Sequence, residues 1–230
     1  MTEAAKTQDL VSQATKLERE QKYAEALVLF QQLRRGNRGD VGEILFHCGW
    51  CLERLDEGNR RRALRYYGKA SQCLPVSPSL VNTYFRMGWL AFHDKDYAAA
   101  SPSFLRAIDE AERIHLQTDL YHNSVYWYAV SLESQGLFLE ALKWYRLTIR
   151  VAPLFEPEAR YREICCLNQI GEFEDALIRC HSFHPESPSG FDTHRYEELR
   201  SLVEAETTLL IGCLTQRTFF KQEGNVRVSP

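Results

Sequence analysis

The chain has 230 residues, 44% of them hydrophobic, 26% charged and only 8 proline, with a formal net charge of −3. That balance suits one folded all-α domain with a substantial core, and the slightly acidic total argues against nucleic acid as a partner. The longest apolar run near the end, Leu209 to Leu214, falls far short of the roughly 20 residues a membrane span needs, so none is expected.

Residues 1–6 read as a disordered N-terminus, and the polar stretch Met1 to Asp9 has the form of neither a secretory signal nor a transit peptide. A soluble, cytoplasmic chain is therefore expected, with its 7 cysteines reduced. From residue 7 to about 190 the pattern is periodic. Ala26, Ala63, Ala100, Ala141 and Ala176 recur every 35 to 41 residues, each four residues before an aromatic or a cysteine. A period of this size predicts stacked helix pairs, and such arrays act by binding.

Copy one, about residues 7–40, carries Ala14, Tyr23, Ala26, Phe30 and Leu33. Copy two, 41–77, carries Leu45, Cys48, Gly49 and Leu52, then Ala63, Tyr67, Ala70 and a closing Pro75, with Glu57 to Arg60 lengthening the turn between its halves. Copy three, 80–115, is the clearest: Tyr84, Met87, Gly88 and Ala91, then Tyr97, Ala100, Phe104 and Ala107. Copy four, 120–154, runs Val125, Tyr128, Ala129, Leu132, Gly136, Phe138, Ala141, Tyr145 and Pro153. Copy five, 156–187, keeps Leu167, Gly171, Phe173 and Ala176 but places Cys180 at the aromatic site. A capping helix is predicted over 191–217, started by Asp192 or Thr193, with Leu199, Leu202, Val203, Leu210, Cys213 and Leu214 on one side. Residues 218–230 read as a flexible tail.

The third copy matches W-x2-L-G-x2-Y followed by A-x3-F-x2-A with conservative swaps, and the array thereby resembles the tetratricopeptide repeat (TPR) family. The resemblance implies a right-handed α-solenoid of about five helix pairs with a C-terminal capping helix. Small residues such as Gly88 and Ala100 let the paired backbones approach, and Phe104-type rings are expected to fill the gap to the next copy. Gly136 and Gly171 are expected to end their first helices in the left-handed conformation.

The family lines its inner face mainly with first helices. Counting the small first-helix residue as the eighth position, the fifth and ninth positions are Phe46 and Trp50, Phe85 and Trp89, and Tyr126 and Val130; Phe92 stands at the twelfth. Rings here replace the Lys and Asn of co-chaperone arrays that grip an acidic chaperone tail, so no carboxylate clamp is expected. The expectation is an adaptor holding an apolar or amphipathic segment of another protein in an aromatic groove. One alternative places the same rings in the core. A second is a structural subunit that fills its groove with its own C-terminal segment.

Charge is uneven. Nine Lys or Arg lie between Arg34 and Lys69 against five acids, including Arg60, Arg61, Arg62 and Arg65, whereas Phe155 to Glu206 holds twelve acids against five arginines. The basic patch suggests an acidic partner or head-to-tail self-association. No catalytic residue, cofactor or metal is expected, since nucleotide, hydrolase and zinc-protease motifs are absent. Cys48-Gly49-Trp50-Cys51 has the C-x-x-C form, yet Cys48 falls at a buried helix position and no second C-x-x-C completes a zinc site. Cys180-His181-x-x-His184, with Cys165 and Cys166, is the other sulfur-rich cluster, and it reads as the exit from copy five.

Overall fold

The computed structural model describes residues 3–36, 38–183 and 191–226, with side chains to residue 216. Its described residues form eleven α-helices, and the chain divides into two compact units, Met1–Ser124 and Val125–Pro230. In the first unit α1 (Glu3–Arg19) pairs with α2 (Tyr23–Arg35), α3 (Val41–Leu55) with α4 (Arg60–Cys73), and α5 (Pro78–His93) with α6 (Tyr97–Arg113). Helix α7 (Asp119–Ser134) contains the boundary. The second unit adds α8 (Phe138–Val151), α9 (Glu156–Gln169), α10 (Phe173–His181) and α11 (Thr193–Val226). Within each unit, helices pack on their neighbours in sequence, and α11 lies on both α9 and α10. This is the all-helical repeat fold that the alanine period predicts.

Local chemistry sets the helix limits. Asp40, Ser77 and Asp96 accept hydrogen bonds from the backbone N–H of Glu43, Leu80 and Ala99, satisfying donors that the first turns of α3, α5 and α6 leave open. Asp192 does the same for Arg195 at 2.8 Å and so caps α11. Between paired helices one residue adopts positive φ: Gln21 (61°), Lys95 (61°), Gly136 (76°) and Gly171 (82°). The lengthened turn of copy two is instead a single 3-10 turn, Glu57–Asn59.

The repeating alanines Ala26, Ala63, Ala100, Ala141 and Ala176 are fully buried, as are the rings Phe30, Tyr67, Phe104 and Tyr145. A Cβ on Gly49 would lie 2.8 Å from the Tyr67 ring, and one on Gly88 would lie 2.8 Å from Phe104. These rings therefore seat on the glycine of their own copy, where only a bare backbone leaves room, rather than simply bridging to the next copy.

Two boundaries differ from expectation. Helix α1 is already formed at Glu3, and α11 continues past residue 217 to Val226. The buried side of α11 is Tyr196, Leu199, Val203 and Leu210, whereas Leu202 and Cys213 are exposed, because a spacing of 3.6 residues per turn rotates them off the stripe. The end of copy five, including His184, and the last four residues lie outside the described residues.

Candidate functional site

The predicted groove residues separate by position. At the fifth position, Phe46 and Phe85 are 8% exposed and Tyr126 is 6% exposed, and Val130 at the ninth is 4% exposed. They are floor and core rather than open anchors. The cause is ring packing: each fifth-position ring meets the second-helix ring of its own copy, Phe46 with Tyr67 at 5.7 Å, Phe85 with Phe104 at 5.7 Å and Tyr126 with Tyr145 at 6.4 Å. Tyr126 is further stacked on Phe155 at 4.4 Å. Trp50, Trp89 and Phe92 remain half-buried.

The tryptophans of α3 and α5 are organised by Arg86. Its guanidinium carbon lies 5.2 Å from the Trp50 ring, 5.9 Å from Phe85 and 6.0 Å from Trp89, within reach of cation–π attraction. The Arg54 guanidinium lies 5.6 Å from the same Trp50 ring and 5.8 Å from the Tyr23 ring. Burial pulls Arg86 down to about 10, which leaves it cationic at neutral pH. Glu53 balances that charge: it pairs with Arg86 and also accepts a 2.9 Å hydrogen bond from the Tyr67 hydroxyl. A cavity of about 180 Å³ opens beside Trp89, lined also by Glu53, Glu57, Arg60, Leu90 and His93. The surface thus joins apolar rings to a fixed, internally neutralised charge.

This pairing is one instance of a repeated latch that sequence reasoning missed. Four residues past the small residues Ala14, Gly49 and Ala129 stand Glu18, Glu53 and Glu133; two before the equivalent position of the following copy stand His47, Arg86 and Arg162. Glu18 contacts His47 Nδ1 at 2.8 Å, Glu53 pairs with Arg86, and Glu133 accepts from Arg162 at 2.8 Å. The second-helix ring completes each set: Phe30 stacks on His47 at 4.8 Å, Tyr67 donates to Glu53, and Tyr145 donates to Glu133. Asn168 of copy five makes the corresponding bond to Glu206 of α11. Phe92 and Trp127 occupy the two positions in copies three and four, and neither residue type forms an ion pair. The signal was present as glutamates spaced from the small residues, but a single such glutamate reads as a solvated helix face.

The C-x-x-C sulfurs have no redox geometry. Cys48 and Cys51 are fully buried and free, with burial pushing the Cys48 thiol up to about 12 and raising Cys51 further; Cys51 donates to Glu18 at 3.3 Å. A thiol held protonated in this way is a poor nucleophile. Cys165 and Cys180 are likewise raised by burial. Among the described residues no three His, Cys, Asp or Glu stand together as a metal-ligand set.

The basic patch also divides. Arg60 is engaged by Glu57 at 2.9 Å and Asp94 at 3.2 Å, and Arg61 is exposed, whereas Arg62 and Arg65 line a separate cavity with Arg34, Tyr66 and Lys69. No described helix is long and apolar enough to cross a membrane.

No protein-family model and no curated protein matches the chain. Solved structures do. A crystal structure of MamA protein superposes with a TM-score of 0.61 at 19% identity, covering 75% of this chain and 87% of that one. MamA of MSR-1 gives 0.59 at 18% identity over 87% and 98%, and MamA from residue 41 onward of Desulfovibrio magneticus RS-1 gives 0.61 at 15% over 80% and 94%. At such identities the likeness establishes the fold.

Proposed function

We propose that the chain is a non-catalytic, TPR-like protein-binding adaptor whose first-helix face in copies two and three takes an amphipathic helix of a partner protein. The observation that carries this reading is the Trp50–Arg86–Trp89 surface: two half-buried tryptophans flank a cation whose charge Glu53 already neutralises. Large rings held by their neighbours offer contact area at little further loss of side-chain freedom, which is the usual makeup of an interface anchor. Phe92 extends the apolar area, and the cavity beside Trp89 has room and polar groups for one partner side chain. Phe46 and Phe85 support this surface from below.

A second reading, a structural subunit working through its end repeat, draws on α11. Leu202 and Leu209 are 42% and 61% exposed and stand two turns apart on the side away from the buried stripe. The packing of α11 on α9 and α10 favours its role as a cap over that of a groove-filling tail.

Trp89→Ala tests the first reading. It is expected to leave helicity intact and weaken the partner complex by about 2 kcal/mol or more, roughly thirtyfold. Affinity capture from the native lysate with wild-type, Trp89→Ala and Leu209→Glu baits, read by mass spectrometry, separates the alternatives. Partners lost only with Leu209→Glu would replace the adaptor reading with the end-repeat one.

A further inference from the structure

The second-helix side of copies one and two carries a cavity of about 270 Å³ lined by Arg34 of α2 and by Arg62, Arg65, Tyr66 and Lys69 of α4. Four of its five lining residues are cations and none is an acid. Helix α4 contains no acidic residue at all, and it begins with three arginines in its first turn, where the helix dipole disfavours positive charge. Among the described residues, none of Arg34, Arg62, Arg65 and Lys69 forms an ion pair, although Arg60 beside them is doubly paired. Arg34 is held over the Tyr66 ring at 5.9 Å, and Arg62 donates to the Asn59 side chain at 2.9 Å.

Four like charges brought to one cavity repel one another, and among the described residues no carboxylate pairs with any of them. From this geometry we propose that the cavity binds a compact ligand bearing two or more phosphate groups, either free in solution or as the headgroup of a lipid. Each phosphomonoester carries about −1.5 to −2 charges at neutral pH, so two of them match four cations. Guanidinium forks pair with phosphate oxygens in bidentate fashion, and three of the four cations are arginines. The convergence of charge on one cavity suits a compact anion better than an extended acidic strand, which would need a track of donors. The site lies apart from the Trp50–Trp89 surface in residue composition and stands whether or not that surface binds a partner.

Inorganic tripolyphosphate, titrated into the full chain by calorimetry at about 0.1 M salt, where exposed charges are screened beyond roughly 10 Å, is the direct probe. Saturable one-to-one binding is expected, weakened about tenfold or more in Arg65→Ala and in Lys69→Ala, and retained in Arg61→Ala, which removes the same charge outside the cavity. All three positions are exposed, so circular dichroism of the variants should match the wild type. Vesicles of phosphatidylcholine with a phosphatidylinositol bisphosphate identify the source: co-sedimentation abolished by tripolyphosphate marks a lipid headgroup, and binding of tripolyphosphate alone marks a free ligand. Absence of saturable binding at millimolar tripolyphosphate, equal weakening by Arg61→Ala, or tighter binding of an oligoglutamate of matched charge would overturn the proposal.

Discussion

Gln21 and Lys95 hold φ at 61°, a conformation that costs a residue with a Cβ about 1–2 kcal/mol. Lys95→Gly is therefore expected to raise stability by about 1 kcal/mol, and a urea midpoint that falls instead would show the turn needs its side chain. The equivalent turns at Gly136 and Gly171 were legible because glycine announces them; Gln21 and Lys95 were not, because the strain is imposed by the helices on either side. Burial of thiols and phenols gives a second residue-level expectation. Cys48 is raised from 9.0 to about 12, and Tyr67 is also raised by burial, so the unfolded chain loses these protons before the folded chain does. Their stabilising contribution is complete below pH 9.0 and disappears as pH rises toward about 12. Chemical melts from pH 7 upward should be flat at first and then lose stability, with Cys48→Ala shifted to a later onset.

At the level of the helix, the latch between α3 and α5 is the strongest determinant. Glu53→Ala leaves the Arg86 guanidinium buried against rings without its counter-charge, a change that costs about 3–5 kcal/mol. Glu53→Gln retains an acceptor for the Tyr67 hydroxyl and should lose less; equal losses in denaturant melts would assign the effect to packing instead. Helix pairing was legible because five copies repeat the same alanine and four of them follow it with an aromatic at the same spacing. Which aromatics stay accessible was not. An aromatic four residues along a helix is rotated by only about 40°, and that small turn separates Phe46, seated on Tyr67, from half-buried Trp50. The glutamates were hidden for a related reason: their partners lie about 30 residues away in the next copy, beyond the reach of any local pattern.

For the whole molecule, near-neighbour contacts imply that damage stays local. Glu133→Ala removes the partner of Arg162 and Tyr145 in the second unit, so amide exchange should accelerate through α8 and α9 while α2 to α5 keep wild-type protection. Uniform acceleration along the chain would mean that the array unfolds as a single cooperative body. The latch also makes the order of the copies something the sequence prescribes. Copies one and two each leave a glutamate for their successor, copies two and three each present His47 or Arg86 to their predecessor, and the same sequence position in copy four is Trp127. Copy two can be duplicated in tandem with every acid still matched to a base. Joining it directly to copy four would bury Glu53 against tryptophan, so the array can lengthen by repeating a copy more readily than it can lose one from its middle.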